Sequence, residues 1–235
     1  MKFLVFQHVK HEHPGLMTDF AQKKGIKLNI VELWKSYKIP SLNSYKALII
    51  MGGPIGVYEG LDVFPSKNDE IGIIRKSIGK IPILGFCLGS QLLAAALGAQ
   101  VYPNIKNGKH IKEIGYYSVN LTEDGQKDHL FKGFSANFQV LQWHGDTFDL
   151  PSCSALLATS RLCKNQVFSY GKAYGLLFHL EFTPVMIEKQ IEIDNEWIHK
   201  DFVIDERKLL DLSKKNTETM EKQCILLLNN FLNII

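Results

Sequence analysis

Residues 81–97 read IPILGFCLGSQLLAAAL, and this stretch decides the fold. Residues 81–86 are a short apolar run of β-formers, too short for a helix and rich enough in branched side chains for a core strand. Residues 91–96 are a helix-forming run of Leu and Ala. Between them Gly85-Phe86-Cys87-Leu88-Gly89 has the form G-x-C-x-G, the cysteine counterpart of the G-x-S-x-G nucleophile elbow. The two glycines let the chain turn sharply and approach its neighbours without a Cβ clash. Cys87 then sits at the positive end of a helix dipole, which favours thiolate over thiol. Its sulfur projects from the C-terminal edge of the sheet, where open α/β folds bind ligands. The alternative is a buried, inert structural cysteine, and the glycine frame argues against it.

Strands and helices alternate outward from this point. Residues 2–9 read as a strand, 15–23 as a helix, 27–33 and 47–51 as further strands, and 64–78 as a helix. Such alternation implies crossover units and a parallel sheet with both faces covered. From about residue 100 short strand-like runs dominate, at 114–121, 138–143, 155–160, 166–170 and 173–179, separated by turn residues as in antiparallel hairpins. Helical texture returns at Pro184 and continues to the end. The expected fold is therefore α/β: a mostly parallel central sheet covered by helices on both faces, with a small antiparallel addition. Met220, Cys224, Leu227, Leu228, Phe231 and Ile235 recur at helical spacing, a stripe most simply read as core packing and otherwise as a partner interface. No repeat or linker marks a boundary, so residues 1–235 read as a single domain with a helical C-terminal extension at about 196–235.

Composition narrows the function classes. A chain of 235 residues can bury a full core. A formal charge of +3, evenly spread, implies neither nucleic acid nor an acidic membrane as partner. No apolar stretch reaches a membrane span, and the N-terminal apolar run reads as a first strand rather than a signal peptide. Cys87, Cys153, Cys163 and Cys224 lie far apart with no C-x-x-C pair, which argues against a zinc site and a disulfide framework and for a reducing cytoplasm. His8, His11 and His13 form a loose cluster with no carboxylate or thiol at ligand spacing, so no metal is expected.

A thiol nucleophile needs a base, a group to orient the base, and donors for an oxyanion. His179 ends an apolar strand, and in extended chain it faces the same side as Glu181, two residues on. A carboxylate there fixes the imidazole tautomer and stabilises the imidazolium. His144, in Gln142-Trp143-His144-Gly145-Asp146, is the rival base and reads as pocket wall. Met51-Gly52-Gly53-Pro54 follows the strand at 47–51, so its glycine amides lie on the same sheet edge; the Leu88 amide supplies a second donor.

These motifs, with Lys112-Glu113-Ile114-Gly115-Tyr116 between the second and third, resemble in order and spacing the signatures of class I glutamine amidotransferases. The likeness runs from about residue 45 to 185. Gln142-Trp143-His144-Gly145-Asp146 and Gln7-His8-Val9 with Pro14-Gly15 resemble the stand-alone subset called GMP synthase-like. The resemblance implies a flavodoxin-like fold, no cofactor, attack by Cys87 on the side-chain amide of glutamine, proton transfer by His179 oriented by Glu181, and an oxyanion held by the Gly53 and Leu88 amides. It also implies that Gln91 and the backbone around Trp143 grip the amino-acid end of glutamine, with Gly52, Gln142 and His144 beside them. Many members carry proline where this chain has Leu180; the chemistry does not require it.

The amidotransferase module accounts for most of the chain and leaves no room in it for a synthetase domain. Three functions follow: a glutaminase that supplies a separate acceptor subunit with ammonia, a self-sufficient γ-glutamyl hydrolase, or a non-catalytic regulatory module. The presence of Cys87 argues against the third, and the first is preferred. A homo-oligomer is compatible with all three.

Overall fold

The computed structural model describes residues 1–200 and 202–235. Five strands form its parallel half: β1 (Lys2–Gln7), β2 (Lys27–Glu32), β3 (Ala47–Ile50) and β4 (Ile83–Phe86), joined by a late strand, Ala173–Leu176. The remaining strands in chain order are β5 (Val101–Pro103), β6 (Ile105–Lys106), β7 (Lys109–His110), β8 (Glu113–Leu121), β9 (Asn137–His144), β10 (Asp146–Phe148), β11 (Ala155–Thr159) and β12 (Val167–Tyr170), which makes the late strand β13. One nine-stranded sheet runs β2-β1-β3-β4-β13-β12-β11-β8-β9. The antiparallel strands thus extend the central sheet from β13. Among the described residues, only β5–β10 and β6–β7 form separate two-stranded pieces.

Alternation explains why both faces are covered. In β1, Phe3 and Val5 enter one apolar cluster while Leu4 and Phe6 enter the other, and in β3 Ala47 and Ile49 alternate with Leu48 and Ile50 in the same way. Helix α1 (Leu16–Lys23) covers the first face with Met17, Phe20 and Ala21. On the second face lie α2 (Lys67–Ser77), through Ile74, and α3 (Leu88–Ala96), through Leu92, Leu93, Ala94 and Ala96. The smaller helices α4 (Glu123–Lys127), α5 (Pro184–Ile193) and α6 (Asn195–His199) precede the long α7 (Glu206–Leu232). Met220, Cys224, Leu227, Leu228 and Phe231 of α7 are all buried in the first cluster, with Phe231 edge-on to Phe3. These five residues of the C-terminal stripe are core, and Ile235 is partly buried against them.

Two features position the site. Strand β13 pairs parallel with β4, Leu176 opposite Phe86, so the chain leaving β13 emerges beside Cys87. That chain bends after Leu176, and His179 then bridges to Leu141 of β9, closing the antiparallel half against the continuation of β13. Meanwhile β3, β4 and α3 approach to backbone contact. A Cβ on Gly89 would lie 2.2 Å from the Ile50 carbonyl oxygen, and one on Gly85 would lie 2.5 Å from the Gly89 carbonyl.

Gly89 and Gly72 should therefore respond oppositely to the same substitution. Gly89→Ala forces apart a backbone contact that cannot yield, and is expected to cost ~3 kcal/mol or more, or to prevent folding. Gly72 lies inside α2 with nothing near its Cβ position. Gly72→Ala should stabilise by ~0.5–1 kcal/mol and raise the melting temperature by about 1–3 °C. Thermal melts followed by circular dichroism check both.

Candidate active site

Cys87 occupies the turn between β4 and α3 at φ 45°, a left-handed conformation that L-residues avoid. Its N–H donates to the Leu176 carbonyl at 2.8 Å, so β13 fixes the turn from the side. Neighbouring backbone over-determines the geometry, which is how such strain persists at a functional site. The Cys87 sulfur lies 3.7 Å from the Trp143 carbonyl oxygen.

His179 comes to this sulfur from the chain beyond β13. Its Nδ1–H donates to Glu181 Oε1 at 2.7 Å, and Glu181 Oε2 accepts the Leu180 N–H at 3.0 Å. That fixes the tautomer and turns Nε2 toward the thiol, with which the ring is hydrogen-bonded. Burial opposes charge on His179, but the Glu181 carboxylate and the bonds to Cys87 and Glu181 outweigh it; the imidazole pKa stands well above its ordinary value. Burial also pushes the Cys87 thiol up. The hydrogen bond and charge of His179 and the Leu88 N–H pull it back only in part, so its pKa stays above the ordinary value. The Leu88 amide at the helix N-terminus still lowers the thiol pKa, as the helix dipole would, but desolvation of the buried sulfur is the larger effect. Cys87 and His179 titrate as one coupled pair, and the proton that leaves the sulfur is held on the imidazole, where the Glu181 carboxylate stabilises it.

A cavity of about 320 Å³ opens over Cys87. Gly53, Gln91, Trp143 and His144 line it, as expected for substrate contacts. Leu88 packs under Gly53, its Cδ2 2.8 Å from where a Gly53 Cβ would lie. Gly52 and Gln142 are not among the lining residues, although the Gly52 α-carbon faces the Glu12 carboxylate and the His179 ring. The Gly52 carbonyl oxygen lies 2.9 Å from His8 Nδ1, behind the cavity wall. Gln142 is fully buried and its amide donates to Gln166 Oε1 at 2.7 Å, on the other side of β9 from Trp143. Glu113 anchors that network, accepting from Ser160 and Gln166 at 2.8 Å each. His144 does not compete as base: its Nε2 lies 3.2 Å from Glu113 Oε2 and its Nδ1 3.0 Å from the Asp146 carbonyl oxygen. Asp146 stands two residues beyond His144, but its carboxylate accepts from Tyr58 at 3.4 Å.

The far wall comes from the C-terminal helices. Trp143 Nε1 and Gln190 Nε2 both donate to Asp194 Oδ2, at 2.8 and 2.7 Å. The Lys112 ammonium donates to the Trp197 and Lys200 carbonyls at 2.5 and 3.0 Å and lies over the Trp197 ring, securing α6 at the rim. The histidine cluster disperses: His8 pairs with Glu70, and His13 accepts the Gly15 N–H. Among the described residues no group of three His, Cys, Asp or Glu could hold a metal ion.

Glu12 was not anticipated. It follows β1 on the active edge of the sheet, is buried, and lines the cavity. Its carboxylate packs against Gly52 beside the His179 ring. Burial raises its pKa to about 7, with His179 opposing the rise and Asp194 adding to it. The available signal was its place in the loop after a strand that ends at the catalytic edge.

A folded-state pKa of about 7 against an ordinary 4.5 means the folded protein holds this proton more tightly than the unfolded chain does. The stability this contributes is full below the unfolded value and is lost as pH rises through the folded value. Glu12→Gln should therefore gain ~1–3 kcal/mol on wild type between about pH 5 and pH 8.5. Denaturant melts of both proteins at the two pH values measure it, and parallel curves would refute the assignment.

The family model described as Glutamine amidotransferase class-I matches residues 17–197. The glutamine amidotransferase-like protein YfeJ of Salmonella typhimurium is 30% identical over 190 residues, 79% of this chain and 77% of that protein. A glutamine-hydrolysing GMP synthase subunit of Methanococcus vannielii is 31% identical over 159 residues, 66% of this chain and 73% of that one. Against two of the full GMP synthases it matches, the chain spans only 24% and 27% of their length. A solved glutamine amidotransferase from Thermotoga maritima superposes with TM-score 0.88 at 35% identity, over 98% of this chain and 97% of that one. This chain belongs to the class I glutamine amidotransferase family.

Proposed function

We propose that this protein hydrolyses the side-chain amide of glutamine to glutamate and ammonia through a Cys87 thioester, and that the ammonia serves a separate acceptor protein. The observation that carries the reading is the juxtaposition at one sheet edge: Cys87 in a left-handed elbow, hydrogen-bonded to a His179 that Glu181 orients, beneath a cavity with Gly53 and Gln91 in its wall. The acceptor follows from the Methanococcus vannielii relative, whose name makes it one subunit of a GMP synthase.

In this mechanism the thiol proton passes to His179 Nε2 as the sulfur attacks the amide carbon. The oxyanion forms against the Gly53 and Leu88 N–H groups. Imidazolium returns the proton to the departing nitrogen, ammonia leaves, and the γ-glutamyl thioester remains. Water then attacks, giving its proton to His179, and the sulfur leaves and recovers it. Glu181 keeps its charge throughout and stabilises each imidazolium.

Purified protein should release ammonia and glutamate from glutamine in equal amounts. Cys87→Ala should fold normally and lose turnover by ~10³-fold or more. Turnover that persists in this variant would sink the mechanism. Rapid cleavage of γ-glutamyl peptides, with glutamine a poor substrate, would replace the ammonia-supplying role with that of a self-sufficient hydrolase.

A further inference from the structure

Behind the Gly52-Gly53 turn lies a second histidine–carboxylate pair with no access to the cavity. His8 Nδ1 is 2.9 Å from the Gly52 carbonyl oxygen, and Nε2 is 2.8 Å from Glu70 Oε2. Glu70 Oε1 accepts the Ser66 hydroxyl at 2.7 Å. All three side chains are buried, with Phe64 edge-on to the imidazole. A carbonyl can only accept, so the proton on Nδ1 is fixed and the hydrogen bond to Gly52 is permanent while the pair is intact.

The consequence lies on the opposite side of the same peptide. Gly52 C=O and Gly53 N–H belong to one planar trans unit, in which they point in opposite directions. Two consecutive glycines leave that unit free to turn over, since neither residue resists a change of φ or ψ. A carbonyl fastened to His8 removes the freedom and aims the Gly53 N–H away from His8. Gly53 lines the cavity, and its N–H donates to no group among the described residues. A Gly53 Cβ would fall 2.9 Å from His8 Cβ and 2.8 Å from Leu88 Cδ2, so the turn is also gripped between these two residues.

We propose that His8, held by Glu70 and Ser66, is a positioning residue that locks the Gly52-Gly53 peptide with its N–H directed at the developing oxyanion. The proposal rests on the thioester reading above and adds to it the reason a pair of flexible glycines forms a fixed donor. Charge favours the same arrangement. Burial opposes protonation of His8, but Glu70 more than restores it, and an imidazolium donor polarises the peptide so that the Gly53 N–H becomes a better donor.

The test separates oxyanion stabilisation from thiol reactivity. Glutamine turnover uses the oxyanion donor. Alkylation of Cys87 by iodoacetamide does not, because the thiolate displaces iodide at a saturated carbon. His8→Leu should lower kcat by about 10²-fold, with KM and the alkylation rate each within about threefold of wild type. His8→Asn, whose amide nitrogen falls near the Nδ1 position, should recover at least about tenfold of the loss. The lock is overturned if His8→Leu turns over at the wild-type rate, if alkylation falls in proportion to kcat, or if His8→Asn is no better than His8→Leu. Should His8→Leu fail to fold, Glu70→Gln decides: about a tenfold fall in kcat with unchanged alkylation supports the lock, and unchanged kcat overturns it. A wild-type protein that turns over no γ-glutamyl amide would remove the thioester reading and the lock with it; an active wild type beside an indifferent His8→Leu removes the lock alone.

Discussion

The approach of three backbones at Gly85, Gly89 and Ile50 is the constraint on which the rest depends. No side chain fits between β3, β4 and the first turn of α3, so the chain crosses from strand to helix within one residue, and Cys87 takes the left-handed conformation. A single such residue costs ~1–3 kcal/mol. The cost is met because β4 and α3 are buried almost along their whole length and the Leu176 carbonyl holds the Cys87 N–H. From that point the neighbouring strands do the assembling. Strand β3 ends at the Gly52-Gly53 turn, and β13 ends a few residues before His179. Candidate nucleophile, donor and base thus come from three adjacent parallel strands, which by construction finish at the same edge.

Desolvation governs the chemistry of this edge. Cys87, His179, Glu181 and Glu12 are all buried, so each charge is expensive unless it has a partner. Glu181 has one in His179, and the pair holds its proton strongly. Cys87 has only a share of the same imidazole and the Leu88 amide, so burial wins and the thiol pKa rises. Glu12 adds to the balance, since its ionised form raises the thiol further.

What could be read in the sequence was what is encoded locally. The elbow is legible because its glycines lie within two residues of Cys87, and His179–Glu181 because the offset of two is a strand property that survives the bend after Leu176. Long-range pairs left no such trace. His8 meets Glu70 across 62 residues, and nothing near either residue signals the other. Gln142 is placed beside the substrate by the family resemblance alone; β9 is buried from Val140 to His144, so no alternation along it marks which residues face the cavity. The antiparallel strands were recognised individually. Their order in the sheet, β13-β12-β11-β8-β9, depends on pairings that no local pattern specifies.

The C-terminal third shows how closely site and fold are joined. Asp194, at the end of α5, holds the Trp143 indole, and Lys112 fastens the Trp197 carbonyl, so the cavity wall opposite the elbow exists only once α5 and α6 have docked. Those helices pack on Ile114, Leu141 and Trp143, and α7 contributes Leu209 to the same cluster before crossing to the main core. Cavity residues therefore come from chain positions between Glu12 and Trp197, and Cys87, Trp143 and Trp197 among them also sit in or against the core. In such an arrangement few residues are free to serve the site alone. The exceptions are groups whose cost of burial the fold does not need, Glu12 and the His8–Glu70 pair. Apolar side chains would fill those volumes with less penalty, so their presence at the catalytic edge points to the reaction rather than to stability.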